Sequence, residues 1–113
     1  MAERGAGERI DDVVSRWEGI TDQPHRFGGR EYRLGDREIG HVHGDTLVDI
    51  PFPTKVRNEI IEAGLAEPHH VLPQSGWVSI HIRQPMDVER AVRLLRRSYD
   101  LAVQQRAHSN KAS

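Results

Sequence analysis

Three turn dipeptides, Gly28-Gly29, Gly35-Asp36 and Gly44-Asp45, cut residues 25–52 into pieces too short for stable helices. Glycine reaches positive φ at no steric cost, so each pair can close a tight hairpin. The spacing predicts strands over 25–27, 30–34, 37–43 and 46–52, an antiparallel meander. Pro51 and Pro53 end the last strand, because proline has no N–H to give to a ladder.

Helical periodicity brackets the meander. Ile10, Val13, Val14 and Trp17 form one apolar stripe over 8–18, and Gly19 stops it. Val56, Ile60 and Ala63 mark a second helix from Pro53 or Thr54 to residue 63. Beyond it the pattern predicts a second hairpin, 69–72 with 77–83, around a Pro73-Gln74-Ser75-Gly76 loop. The last helix spans 85–106, with Val88, Ala91, Val92, Leu95, Tyr99 and Ala102 inward and Asp87 at its start. The expected fold is α+β, an antiparallel β-sheet (meander plus hairpin) with three helices packed on it, in the order α-β-β-β-β-α-β-β-α. It forms a single domain over 8–106, between flexible tails at 1–7 and 107–113.

Composition narrows the function. There are 113 residues, with 16 Lys plus Arg against 17 Asp plus Glu. That balance argues against nucleic-acid binding, which needs a cationic surface. The arginines of the last helix read as a solvated face. No apolar run approaches the ~20 residues that span a bilayer. Residues 1–8 have no apolar core of a secretory signal, and there are no cysteines; a cytoplasmic setting is expected. Neither a phosphate loop nor a nucleophile elbow is present, and nothing in the spacing asks Ser75 or Ser79 to act as a nucleophile.

Seven histidines remain, five of them at 41, 43, 69, 70 and 81. His41 and His43 are two apart on a strand and share a face. A two-residue Gly44-Asp45 loop sets His43 opposite Thr46 and His41 opposite Val48, with Ile39 and Ile50 on the same face and Asp49 on the other. A one-residue change of register sets Asp49 beside His41. Glycine first in the loop favours the two-residue turn. In the second hairpin a four-residue loop sets His70 beside Ser79 on the face of Trp77 and His81, and turns His69 towards Val78 and Ile80.

His41, His43, Asp49 and His70 are the candidate catalytic residues, and Arg57, His69, Trp77 and Ser79 the candidate ligand contacts, a choice that rests on the family resemblance given below. Imidazoles of this kind serve as bases, hydrogen-bond donors or metal ligands. Arg57 can reach back to Asp49 or offer a fork to an acidic ligand. Three imidazoles with a carboxylate also make a zinc or iron donor set, although no spacing here matches a metalloprotein signature. The structural alternative is a set of packed histidines in an interaction or ligand-sensing domain that pairs through its last helix into a homodimer.

One combination of motifs is specific. Gly40-His41-Val42-His43-Gly44, Val48-Asp49-Ile50-Pro51-Phe52-Pro53 with Arg57, Glu67-Pro68-His69-His70, Ser75-Gly76-Trp77-Val78-Ser79, Asp87-Val88, and Leu94-Leu95 to Ser98-Tyr99 together resemble the small luciferase domain family. That domain occurs alone in many prokaryotic proteins and within fungal luciferases. The resemblance implies a compact α+β domain whose pocket is lined by His41, His43, Asp49, Arg57, His69 or His70, and Trp77. Fungal luciferases oxidise a hydroxylated pyrone with molecular oxygen and no added organic cofactor. The expectation is a His-lined small-molecule site, without a cofactor, that oxidises a phenolic or enolic ligand. A non-enzymatic sensing domain and a metal site on His41, His43 and a third histidine are the alternatives.

Overall fold

The computed structural model describes residues 3–24, 29–69 and 71–112. Its elements are α1 (Ala6–Val14), β1 (Ile20–Pro24), β2 (Arg30–Leu34), β3 (Arg37–His43), β4 (Leu47–Pro51), α2 (Thr54–Glu62), β5 (Glu67–Pro68), β6 (Trp77–His81) and α3 (Pro85–Ala112). The six strands form one antiparallel sheet in the order β1-β2-β3-β4-β6-β5. The expected α+β class and element order hold. No helix among the described residues is long and apolar enough to cross a membrane.

Several boundaries differ from the sequence reading. The expected first strand, 25–27, lies outside the described residues, and β1 occupies Ile20–Pro24 instead. Helix α1 stops at Val14, and Val13 lies off its Ala6-Ile10-Val14 stripe, exposed rather than inward. Helix α3 continues through the expected C-terminal tail to Ala112. The strand placed at 69–72 is the two-residue β5, Glu67–Pro68, and 69–72 lies beyond it.

One face of the sheet carries the core. Val42, Val48, Ile50, Val78 and Ile80 are buried there, and α3 lies across β2, β3, β4 and β6. Helix α1 packs against α3, and Arg97 of α3 reaches Glu59 of α2 at 3.4 Å. Gly40 permits the close approach of α3. A Cβ there would stand 2.6 Å from Leu95 Cδ2 and 3.0 Å from the Asp49 carbonyl oxygen. Gly76 does the same at the mouth of β6, where a Cβ would stand 2.1 Å from the Phe52 carbonyl oxygen.

The other face carries the chemistry. Successive strand residues alternate between faces, so His41, Asp49 and Ser79 point away from the helices. Gln23, Glu31, His41, Asp49, Ser79 and Glu67 stand opposite one another in a single polar row across all six strands.

Candidate functional site

The centre of that row is Asp49. Its carboxylate is 1% exposed. Ser79 Oγ donates to Oδ1 at 2.6 Å, while His41 Nε2 and His43 Nε2 both approach Oδ2 at 3.1 Å. His69 Nε2 lies 3.5 Å from the same oxygen. Three imidazoles thus converge on one buried carboxylate.

This arrangement corrects the register expected from the two-residue loop. The pairs are His41 with Asp49, Val42 with Val48 and His43 with Leu47. Gly44 does take positive φ, and the Thr46 amide donates to the His43 carbonyl, so the turn itself forms. Thr46 is then passed over: its carbonyl accepts from the Ile82 amide at 2.8 Å. Burial explains the outcome. The two-residue register would turn Val48 and Ile50 out and press Asp49 into the apolar core, and a one-residue slip reverses every side chain. Asp45 is engaged elsewhere, accepting the Gly7 amide at 2.8 Å and the Gly5 amide at 3.2 Å at the start of α1.

Glu38 completes the site, and the sequence reading missed it. Three residues before His41, it belongs on the opposite face of a regular strand. A β-bulge intervenes: Tyr32 pairs with Gly40 and Arg33 with Glu38, leaving Ile39 as the extra residue. Bulges re-aim side chains in this way. Glu38 returns to the His41 face, and its Oε2 stands 2.7 Å from His41 Nδ1. The Ile39 carbonyl accepts the buried Ser98 hydroxyl of α3 at 2.9 Å. A buried backbone acceptor is thereby satisfied.

The histidines divide by how their rings are held. Both nitrogens of His41 face carboxylates, Glu38 on one side and Asp49 on the other. A neutral imidazole has one N–H to donate, so without a cation this ring must carry both protons. Burial alone would lower its pKa. The hydrogen bonds to Asp49 and Glu38, with their charges, outweigh burial and raise it from 6.5 to about 9. Burial alone would raise the Asp49 pKa. The hydrogen bonds from His41 and Ser79 and the His41 charge outweigh it and hold the carboxyl well below the usual range.

His69, expected to face Val78 and Ile80, instead turns to Asp49, because it sits past the end of β5 where strand alternation no longer applies. His70, expected beside Ser79, lies outside the described residues; Glu67 takes the position opposite Ser79. Trp77 is half-buried and forms a wall, its ring 5.1 Å from that of His41 and 6.3 Å from that of His69. His81 shares the face but pairs with Glu67 at 3.4 Å. The Arg57 guanidinium binds the Pro73 carbonyl and, at 2.8 Å, Asn58 Oδ1. It secures the loop that follows His69 rather than reaching Asp49.

His41, His43 and Asp49 form a group whose donor atoms all lie within 4.8 Å of one another. The 3.1 Å separation of each Nε2 from Oδ2 matches that of neighbouring ligand atoms on one cation, and the group could hold a metal ion once the two imidazoles adjust around it. Ligand atoms about 2.1 Å from an ion stand roughly 3.0 Å apart on an octahedron and roughly 3.4 Å apart on a tetrahedron. With a metal bound, Glu38 on His41 Nδ1 would stand where an outer carboxylate orients a metal-bound histidine.

No curated protein and no solved structure matches this chain. Residues 36–98 match the Luciferase domain. The match covers more than half of the chain and includes Glu38, His41, His43, Asp49, His69, Trp77 and Ser79. The chain belongs to the Luciferase domain family.

Proposed function

We propose that His41, His43 and Asp49 form a mononuclear metal centre that binds and oxidises a small acidic ligand, a phenol or an enol, with molecular oxygen. One observation carries this reading: two imidazole nitrogens each stand 3.1 Å from one buried carboxylate oxygen, with Glu38 behind His41. Two histidines and one carboxylate leave coordination positions open, the arrangement used by non-haem iron oxygenases. The family's name points to oxidation by oxygen. An acidic hydroxyl suits the centre, because a bound cation favours its deprotonated form.

The cofactor-free route would need a histidine base on this face. His41 suits that role poorly, since carboxylates engage both of its nitrogens.

The test is iron(III)-loaded protein titrated with catechol, followed by visible charge-transfer absorption. A band that saturates at one catechol per chain, and is absent from Asp49→Asn, supports the reading. Iron-loaded wild type that gives no band with catechol or any other hydroxylated aromatic sinks it.

A further inference from the structure

His69 differs from His41 in the way its ring is fixed. Its Nδ1 accepts the backbone amides of Val71 at 3.2 Å and Leu72 at 3.1 Å. An amide nitrogen only donates, so Nδ1 carries a lone pair and the ring proton resides on Nε2. That is the nitrogen 3.5 Å from Asp49 Oδ2. A metal-bound histidine keeps its second nitrogen protonated and gives that proton to an acceptor. His41 matches this pattern through Glu38; His69 has it reversed. Coordination through Nε2 would require removal of the ring's one proton.

Resting on the metal reading above, we propose that His69 is not a ligand to the cation but a hydrogen-bond donor to an anion bound on it. Once Oδ2 coordinates, its capacity to accept from His69 falls. An exogenous atom on an adjacent coordination position would lie about 3 Å from Oδ2, and the His69 N–H, 3.5 Å from the same oxygen, is the nearby donor that could reach it. The ring is set before any ligand arrives. The Val71 and Leu72 amides fix its rotation, Ser75 Oγ holds the Leu72 carbonyl at 2.7 Å, and Arg57 holds the Pro73 carbonyl. Only 12% of the His69 side chain is exposed. A fixed N–H beside the cation selects for negative charge. The class of ligand is therefore a small anion, or a phenolate or enolate oxygen, in preference to a neutral donor.

The test uses full-length cobalt(II)-loaded protein, titrated with azide and separately with imidazole, and read by the visible cobalt bands. His69→Ala is expected to keep its cobalt affinity within about threefold and to bind azide at least about tenfold more weakly, the loss of one hydrogen bond to a charged group. Imidazole binding is expected to change by less than about threefold, because a neutral ligand makes little use of the donor. Loss of cobalt in His69→Ala, to the degree seen in His43→Ala, would make His69 a ligand and overturn the inference. An unchanged azide affinity overturns it as well, while leaving the metal reading intact. Wild-type protein that takes up no cobalt overturns both.

A second measurement needs no variant. In zinc-loaded wild type, nitrogen-15 NMR is expected to show His69 Nδ1 without a proton and Nε2 with one. An unprotonated Nε2 would contradict the assignment.

Discussion

Glu38→Gln isolates what the β-bulge contributes to the site. The three proposed metal ligands stay in place, and the substitution removes only the negative charge behind His41. The Glu38 Oε2 to His41 Nδ1 contact is 2.7 Å long and largely shielded, with side-chain exposures of 21% and 12%. A hydrogen bond to a charged group is worth about 1.5–3 kcal/mol. Loss of an outer carboxylate behind a metal-bound histidine typically costs about 10–100-fold in affinity, or about 1.4–2.7 kcal/mol. The two routes agree, so Glu38→Gln should weaken metal binding by about 10–100-fold. The assay is competition with a chromophoric chelator for zinc or cobalt at pH 7. Glu67→Gln, which alters only the exposed pair with His81, is the control and should stay within about twofold. A Glu38→Gln affinity within twofold of wild type would mean that His41 is oriented without its carboxylate.

Further outcomes follow from the same geometry. In metal-free protein, His41 faces Glu38 on its own strand, Asp49 from β4 and Glu31 from β2. NMR should find it protonated until about pH 9. Its folded pKa is raised, so the stability it contributes is complete below pH 6.5 and is lost as pH rises through about 9; a His41 titration midpoint near 6.5 would contradict this. Ser98→Ala leaves the buried Ile39 carbonyl without its hydroxyl partner, and urea unfolding should show a loss of about 1–3 kcal/mol. Gly40→Ala forces a methyl group against Leu95 and the Asp49 carbonyl, and should destabilise by about 1–3 kcal/mol; unchanged stability would mean that α3 does not press on the sheet there.

The fold was legible because its signals are local. Turn glycines, the alternation in Val78, Ile80 and Ile82, and the long stripe on α3 each name an element without knowledge of its neighbours. The site was legible in its members but not in its assembly. His41 and His43 could be paired from their spacing. Turn preference alone sets Asp49 on the wrong face, and burial of Val48 and Ile50 decides the register. Pairing Val42 with Val48 would have given the correct register, since both then face the core. Glu38 depended on a bulge that no residue type announces, and on Ser98, 59 residues away, to satisfy the bulge carbonyl. His69 lies past a two-residue strand, where the alternation used to orient it has already ended.

The most direct test of the account is the metal content of the full chain, purified without a histidine tag and without chelators, by inductively coupled plasma mass spectrometry after incubation with iron, cobalt or zinc. A metal centre on His41, His43 and Asp49 should hold close to one first-row ion per chain in wild type and clearly lose it in Asp49→Asn and His41→Ala. Wild-type protein that retains no stoichiometric ion from any of the three, or an Asp49→Asn variant that retains as much as wild type, would contradict it.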